Sequence, residues 1–411
     1  MTSRPALLAL EDGAVFAGRS CGVAGETSGE IVFNTSLSGY QEIITNPTYA
    51  GQILTMTAPH IGSCGVNGAD MESGGVLAAG LVVRELSDVA SNWRAEETIG
   101  AFLQHHGVVA IEGVDTRKLT RHVRDAGCLR AVVSATDLDP ASLIAKAAAL
   151  PTTQGRDFVA EVAVREQYRW GSEGPDGLPV DTGVLPAEPR YRVVAVDTGI
   201  TYSLLRRLAE AGCDVTVVPP QTSAADILAL ECDGVFFGNG PGDPQAAGYL
   251  VETLRELLGR TPILGVGLGH QLLALAVGGA THRLAGGHRG DNQPVRDLLA
   301  GTVEITSQHH GYCVGLESIG PVLPGECGGL DHPADDLAAW VRKGVAPVVR
   351  SARFGRVQLT HVNLNDMTTE GLRLLDAPAL CVQHHPVAPP QTRGSRDVFA
   401  DFAALMDGGV G

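Results

Sequence analysis

The sequence contains no stretch of about twenty consecutive apolar residues, the length that a membrane-spanning helix needs. The first residues, MTSRPALLALEDG, carry only a short apolar run before Glu11 and Asp12. That run is too short for the core of a signal peptide. We therefore expect a cytoplasmic protein that has no membrane partner.

Paired cysteines and an excess of basic residues are also missing. The eight cysteines are scattered without a C-x-x-C pair, which argues against a zinc site or a disulfide framework and fits reduced cytosolic thiols. Thirty Lys and Arg residues stand against 46 Asp and Glu, so the formal net charge is −16 at pH 7. This acidity argues against nucleic acid and anionic membranes as partners.

Motifs for nucleotide cofactors are absent or incomplete. No Walker A motif occurs, so the chain itself is not expected to bind ATP. The stretch GVGLGH begins like a dinucleotide fingerprint, but His270 stands where the third glycine is due. Its strand also comes late in the domain, whereas the fingerprint normally follows the first strand. We expect no cofactor and no metal in this chain.

A chain of 411 residues is long enough for two or three domains. Residues 1–150 contain many β-prone runs, including a hairpin predicted around Asp12 and Gly13. TIGAFLQHHG predicts a helix, and DTRKLTRHVRDAG predicts another, with Asp115 as its N-cap and Gly127 at its end. Residues 151–190 are rich in Gly and Pro and have no sustained period, which indicates an interdomain linker.

From residue 191 onward, strand and helix patterns alternate. This alternation predicts an α/β domain over 191–411, with a mainly parallel sheet covered by helices on both faces. In such sheets the ligand site lies beyond the carboxyl ends of the strands. The loops GNGPGDP and GVGLGHQ both fall there, so we expect the functional site at these loops.

One of these loops has the layout that presents a nucleophile. PILGVGLGHQLLALAVGG, residues 262–279, predicts a buried strand, a sharp turn and an apolar helix. Gly267, at the tip of the turn, has no side chain. Either the nucleophile has been lost while the turn was retained, or this is a plain turn that never held one; composition alone does not decide.

Long segments of the chain are similar to one family. In the first domain these are GEIVFNTSLSGYQEIITNPTYAGQI, VVRELSDVASNWR and IEGVDTRKLTRHVRDAG, and in the second FFGNGPGDP, GLGHQLLALA and HHGYCV. The chain resembles the small, glutamine-hydrolysing subunit of carbamoyl-phosphate synthetase. The resemblance implies an N-terminal mixed β/α domain that docks the large synthetase subunit, followed by a class I glutamine amidotransferase domain.

The resemblance also implies a catalytic triad, and two of its positions depart from the family pattern. The family's cysteine nucleophile falls at Gly267, its histidine at His385 and its glutamate at Val387. The asparagine that binds glutamine in the family falls at His309 and a serine of the first domain at Thr48, while DTGITYS lacks the family's Lys and Asn. The retained frame of a vestigial glutamine site consists of Gly240, Gly242, Leu268, Gln271, Gly311 and Tyr312.

These departures lead to a non-hydrolysing partner subunit as the expected function. The large subunit, carrying ATP and Mg²⁺, would then make carbamoyl phosphate from free ammonia. Two alternatives stay open: new chemistry in the same cleft, with His309, His310, His384 and His385 as candidates, and a sensor that still binds glutamine. Extra sequence near residues 319–352 is rich in Gly, Pro and Asp and is expected to be an exposed insertion.

Overall fold

The computed structural model describes residues 4–171, 188–387 and 396–408. The chain divides into two compact units. The first unit comprises residues 1–158 together with 285–291, and the second comprises residues 159–284 together with 292–411. In the described ranges, no helix is both long enough and apolar enough to cross a membrane.

Seven strands of the first unit form a closed barrel in the order β1-β2-β6-β5-β4-β3-β7. They are β1 (Pro5–Leu10), β2 (Val15–Ser20), β3 (Glu26–Asn34), β4 (Gln52–Met56), β5 (Gly80–Val82), β6 (Ala110–Glu112) and β7 (Leu129–Ser134). The hairpin predicted around Asp12 and Gly13 is confirmed, since β1 and β2 pair antiparallel with Leu8 opposite Phe16. Closure pairs every strand on both sides, so the barrel has no free edge.

In the part of the first unit that the structure describes, four α-helices accompany the barrel: α1 (Tyr40–Thr45), α2 (Ile99–His105), α3 (Thr116–Ala126) and α4 (Pro140–Ala149). The predictions for α2 and α3 are confirmed. Asp115 caps α3 by accepting a hydrogen bond from the Lys118 N–H at 2.9 Å. Gly127 ends the helix at a φ of 86°. Leu119 and Val123 of α3 are buried in the core of the barrel, so the helix is held by its apolar face.

The second unit is built on an eleven-stranded sheet in the order β15-β16-β13-β14-β17-β18-β12-β11-β9-β10-β8. Its strands are β8 (Tyr168–Arg169), β9 (Tyr191–Val196), β10 (Cys213–Val218), β11 (Gly234–Phe237), β12 (Ile263–Val266), β13 (Ala280–Asp297), β14 (Val303–Gly315), β15 (Val348–Ser351), β16 (Gly355–Asn363), β17 (Thr369–Leu374) and β18 (Ala379–Val382). The middle of β13, residues 285–291, groups with the first unit.

The predicted parallel sheet is confirmed for the central strands. β10, β9, β11, β12 and β18 are parallel neighbours in that order. From β18 the sheet continues through β17, β16 and β15 with antiparallel pairing. The alternating strand and helix pattern did not predict this antiparallel part, because few helices separate its strands.

The helices of the second unit are α5 (Val159–Val162), α6 (Tyr202–Glu210), α7 (Ala224–Ala229), α8 (Gly248–Leu257), α9 (Leu268–Ala276), α10 (Leu316–Ile319), α11 (Leu337–Lys343) and α12 (Val398–Met406). They cover both faces of the sheet, as predicted. Val194 and Val235 are buried with residues of α7, α8 and α9. Val193 and Phe236, their neighbours along the strands, are buried with α6 and α12, because successive side chains of a strand point to opposite faces.

The predicted linker, residues 151–190, is described only in part, since 172–187 lie outside the described residues. Structured elements occupy some of the rest. Helix α5 and strand β8 fall there, and Tyr168 of β8 pairs with Val217 of β10. Trp170 follows β8 and is buried in the core beneath α6 and α12. This burial explains why residues 159–171 group with the second unit.

The expectation that residues 319–352 form an exposed insertion is wrong for much of the segment. Trp340 on α11 is fully buried, and Cys327 is 1% exposed. Both belong to the largest core of the second unit. Strand β15, at the end of the segment, pairs antiparallel with β16. Apolar residues interspersed among the Gly, Pro and Asp residues fix the segment to the core.

Helix α9 begins so close to β11 that Gly269 has no room for a side chain. The Gly269 N–H donates to the Gly238 carbonyl oxygen at 2.9 Å, and a methyl group at Gly269 would overlap the carbonyl oxygen of Phe237. We expect Gly269→Ala to lower the free energy of unfolding by about 1–3 kcal/mol, because helix or strand must shift. Guanidinium denaturation followed by circular dichroism measures the change.

The matched control is Gly248→Ala in the first turn of α8. Gly248 has helical angles, φ −56° and ψ −28°, and nothing lies within 4 Å of an added methyl group. This substitution should leave the free energy of unfolding unchanged or raise it by about 0.4–1 kcal/mol, because alanine restricts the unfolded chain. Equal stabilities of the two variants would contradict the packing argument.

Candidate active site

Gly267 joins strand β12 to helix α9 in a strained turn. Its φ is 60° and its ψ −108°, a conformation that glycine adopts more readily than any residue with a Cβ atom. The turn is fixed by the Gly267 N–H, which donates to the Val382 carbonyl oxygen of β18 at 2.9 Å. A Cβ atom at this position would lie 3.3 Å from Cα and Cβ of Asn239. The turn thus has the strand-to-helix geometry of a nucleophile elbow, and its tip carries no reactive group.

Leu268 is the first residue of α9 and is 3% exposed. The first N–H groups of a helix have no acceptor within the helix. The resemblance implies that the backbone at this position helps to stabilise an oxyanion, and a helix N-terminus suits that role. The role of Leu268 stays a prediction.

The loop after β11 packs against the loop after β9, which brings Gly240 and Gly242 beside the elbow's neighbour Asn239. The Asn239 Oδ1 atom accepts a hydrogen bond from the Thr201 N–H at 3.0 Å, and the Thr198 hydroxyl donates to the Asn239 carbonyl oxygen at 2.9 Å. A Cβ atom at Gly240 would overlap the Thr198 carbonyl oxygen and lie 2.7 Å from Leu268 Cδ2. Gly242 has a φ of 86°. The backbone at Gly240 therefore lies too close to Thr198 and Leu268 for a side chain. At Gly242 it is the positive φ that favours glycine.

Gln271, on the first turns of α9, connects the helix to two strands. Its side-chain Nε2 atom donates to the Tyr312 carbonyl oxygen of β14 at 2.9 Å and to Gln383 Oε1, just after β18, at 2.9 Å. Gln271 is 3% exposed. The structure thus brings together Leu268, Gln271 and Tyr312, which the resemblance placed in one glutamine site.

Strand β14 carries His309, His310, Gly311 and Tyr312. The His310 ring lies along its own strand, with Nδ1 2.8 Å from the Tyr312 carbonyl oxygen and Nε2 2.6 Å from Gln308 Oε1. His309, the next residue along, instead has its ring edge-on to that of His385, with centroids 5.6 Å apart. Adjacent strand residues point to opposite sides, so one histidine of this pair faces His385.

Two buried residues that sequence reasoning missed support this strand. Gln308 is fully buried and donates from Nε2 to Glu370 Oε2 at 2.8 Å. Glu370 on β17 is also fully buried, and its carbonyl oxygen accepts the Gln383 N–H at 2.8 Å. The polar SQHHGY stretch within an otherwise β-prone segment could have indicated that Gln308 belongs to the site. Glu370 lies far from any motif in the sequence, so nothing marked it.

His385 follows β18 and is held by its backbone, whose N–H donates to the Ser307 carbonyl oxygen at 2.9 Å. Its Nε2 atom lies 3.4 Å from the Ser203 hydroxyl. Burial first, and then the nearby His309 and His384, hold the pKa of His385 well below its usual range. Among the described residues no carboxylate lies within hydrogen-bonding distance of this ring. His385 is therefore a neutral imidazole without an orienting anion.

Val387 stands two residues beyond His385, and its N–H donates to the His385 carbonyl oxygen at 3.0 Å. An aliphatic side chain there can neither orient the imidazole nor favour its protonated form. The arrangement as a whole offers a weak base and a backbone frame at an elbow. Thr48 belongs to the first unit, in the short 3₁₀ turn Pro47–Tyr49, and is largely buried there.

The four histidines proposed for new chemistry do not all share one environment. His309 and His385 contact each other, whereas His310 is bound to its own strand. The His384 ring packs against that of His361 on β16, with centroids 5.6 Å apart. His309 and His385 are thus the two of these four histidines whose rings contact each other.

Buried histidines make the stability of this unit sensitive to acid. Burial lowers the pKa of His270 on α9 and of His384 to about 3, whereas an unfolded histidine titrates near 6.5. Between these pH values the unfolded chain binds more protons, so folding stability is lost as the pH falls from about 6.5 towards 3. Each group contributes a slope of about 1.4 kcal/mol per pH unit.

We expect His270→Leu to flatten this pH dependence by the contribution of one histidine, whatever its effect on stability at pH 7. His384→Leu should do the same. Urea denaturation at half-unit steps between pH 7 and pH 4 measures the slopes. A His270→Leu slope equal to that of the unsubstituted protein would show that His270 is protonated in the folded state.

Comparison with known proteins adds to this geometry. Residues 8–133 match the family model "Carbamoyl-phosphate synthase small chain, CPSase domain", and residues 194–323 match "Glutamine amidotransferase class-I". The carbamoyl phosphate synthase small chain of Syntrophotalea carbinolica is 47% identical over 402 residues, 98% of each protein. That of Thermotoga maritima is 43% identical over 405 residues, covering 98% of this chain and 99% of its own.

A solved structure of the glutaminase domain of CTPS from Trypanosoma brucei aligns with 53% of this chain and 94% of its own. At 14% identity and a TM-score of 0.34, this likeness is too weak to add to the assignment. The two small chains, by contrast, match nearly the whole of this chain at more than 40% identity. The chain therefore belongs to the carbamoyl phosphate synthase small chain family.

Proposed function

We propose that this chain is a small subunit that does not hydrolyse glutamine and that supports ammonia-dependent carbamoyl phosphate synthesis by a large subunit. The observation that carries the proposal is the elbow at Gly267. Its backbone keeps the φ and ψ of a strained strand-to-helix turn, while the position has no nucleophilic atom. A frame retained without its reactive group fits a structural role better than a hydrolytic one.

Amide hydrolysis at such a site needs a nucleophile, a base and a group that orients the base. Gly267 removes the first and Val387 the third. Because members of a triad act as a unit, removing the nucleophile alone lowers the rate on the order of a million-fold. The depressed pKa of His385 adds to this loss, since burial without a carboxylate makes it a poor proton acceptor.

Some residues that bind glutamine in the family are also replaced in this chain, which further supports the absence of glutamine hydrolysis. His309 replaces an amide side chain with a ring that packs against His385. Thr201 and Ser203 stand in DTGITYS where the family has Lys and Asn, and the Thr201 N–H is already bound to Asn239. These substitutions lie around the elbow in the second unit, whereas the departure named in the first unit, Thr48 for a serine, exchanges one hydroxyl residue for another.

Exposed apolar side chains of the first unit support a partner. Trp93 is 92% exposed and Val89 68% exposed, and both belong to VVRELSDVASNWR, a stretch that carries the family resemblance. Large apolar groups on a surface commonly mark protein interfaces. We assign this loop to the docking of the large subunit, which would carry ATP and Mg²⁺.

A second candidate function, new hydrolytic chemistry in the same cleft, is favoured by one observation. The Ser203 hydroxyl lies 3.4 Å from Nε2 of His385, and a serine beside a histidine is a possible nucleophile and base. The low pKa of His385 and the near-complete burial of Ser203, which is 5% exposed, make this the weaker candidate.

The main test is carbamoyl phosphate formation by this chain purified together with the large subunit from its own genome. We expect synthesis with ammonium and none with glutamine. The control is the triple variant Gly267→Cys, His309→Asn, Val387→Glu, which should gain measurable glutamine hydrolysis because it supplies a nucleophile, an amide side chain for glutamine and an orienting carboxylate. Glutamine-dependent synthesis by the unsubstituted chain would overturn the proposal, and hydrolysis that depends on Ser203 would establish the second candidate.

The docking assignment has its own test. Trp93→Ala should weaken the complex with the large subunit by about thirtyfold or more, as truncation of a central aromatic residue does. Leu230→Ala, a partly exposed leucine of the second unit, is the matched control and should bind as the unsubstituted chain does. Biolayer interferometry measures both, and unchanged affinity for Trp93→Ala would place the interface elsewhere.

A further inference from the structure

A cavity of about 500 Å³ lies within the second unit, beside the carboxyl-terminal strands. Its walls come from β13, β14, β16, β17 and β18 and from the start of α12. Gly240, Gly267, Leu268 and Gln271 are not among its described lining residues, so it is distinct from the elbow. It does include His385 and Val387. The volume is in the range of sites for small molecules.

Much of the cavity wall is aliphatic. Val295, Leu372, Leu380 and Val398 line it and are buried. Ile305 on β14 also lines it and is 67% exposed, so the apolar surface continues outward from the cavity. Such a wall favours a ligand with a hydrocarbon body, which would cover apolar surface now open to water.

One cation in the lining makes no direct ion pair. Among the described residues the Arg373 side chain makes no hydrogen bond or ion pair, although the residue is partly buried. Burial and the nearby Arg396 lower the pKa of Arg373, and the negative charge of Asp401 offsets only part of this effect, as expected for a desolvated cation without a direct ion pair. The other lining arginine, Arg396, is paired with Asp401 at 2.8 Å. A ligand anion would supply the direct ion pair that Arg373 lacks.

The floor of the cavity holds an unpartnered polar group. His384 is 9% exposed, and its Nδ1 atom has no hydrogen-bond partner. Asp297 Oδ2 is also buried without a hydrogen bond, 3.7 Å from Nε2 of His361. A buried nitrogen or oxygen without a hydrogen-bond partner destabilises the folded state. A polar ligand atom that reached the floor would relieve this.

We infer that this cavity binds a small amphipathic monocarboxylate, with its carboxylate on Arg373 and its aliphatic body along the apolar wall. A dianion such as phosphate is disfavoured, because Asp297, Glu304, Asp397 and Asp401 also line the cavity and one unpaired guanidinium would have to offset both charges. The inference does not rest on the proposed function, since it concerns binding by this chain alone.

The residue at position 387 connects this cavity to the predicted triad. Val387 lines the cavity, and the resemblance places a glutamate at this position in the family. A carboxylate there would add a further negative charge to the lining and would repel a ligand anion. The same replacement that removes the orienting group thus makes the cavity more favourable to a carboxylate.

The test is isothermal titration of the full-length chain with octanoate, and with octanamide as an uncharged match. We expect octanoate to bind and octanamide to bind at least tenfold more weakly. Arg373→Gln should weaken octanoate binding at least tenfold, because the carboxylate loses its counterion. Val387→Glu should also weaken it, and this variant gives an independent check if Arg373→Gln proves unstable.

Arg342→Gln is the matched control, since Arg342 is an exposed arginine of α11 outside the cavity lining. It should leave octanoate binding unchanged. Absence of heat at millimolar octanoate would overturn the inference, as would equal binding of octanamide or full retention of binding by both cavity variants. Because no large subunit and no synthesis assay is involved, failure here is separate from failure of the proposed function.

Discussion

The close approach of helix α9 to three parallel strands is the constraint on which the second unit depends. The Gly267 N–H is bound to Val382 of β18, and the Gly269 N–H is bound to Gly238, which follows β11. Together these two hydrogen bonds fix the turn, the start of the helix and the ends of the strands around it. The position of the candidate site follows from this contact, because the loops after β11 and β18 both meet the elbow there.

A buried polar network extends this constraint to the antiparallel part of the sheet. Gln271 of α9 is bound to Gln383, Gln383 to the backbone of Glu370, and Glu370 to Gln308 on β14. Buried hydrogen bonds between elements favour one arrangement of those elements. The network needs neither a nucleophile nor glutamine. The frame of the site can therefore persist after its chemistry is lost.

Local patterns in the sequence were sufficient to predict much of the fold. Asp115 and Gly127 marked the two ends of α3, and the alternation after residue 191 indicated the central parallel strands. The antiparallel strands were missed, because period-2 patterns do not say which strands pair. The burial of Trp340 was missed because the Gly, Pro and Asp residues around it indicate a surface loop.

Site residues that belong to a sequence motif could be predicted. Site residues that come from strands distant in the sequence could not. The turn around Gly267 could be located from a strand, a glycine turn and an apolar helix in succession. Glu370 and Ser203 contact Gln308 and His385 across long sequence separations, and no local pattern encodes such contacts. The arrangement of the histidines needed the structure for the same reason, since His309 and His310 differ only in the side of β14 that each occupies.

The strained turn at position 267 has an evolutionary consequence. A residue with a side chain held at such backbone angles destabilises the folded state by about 1–3 kcal/mol, and active enzymes tolerate this because the strain presents the nucleophile. Glycine removes that strain while the turn keeps its shape. Where catalysis is not under selection, stability alone favours glycine at such a position, and a change from glycine to cysteine is opposed unless the other groups of a triad are present. Loss of the nucleophile at an elbow is thus easier than its recovery.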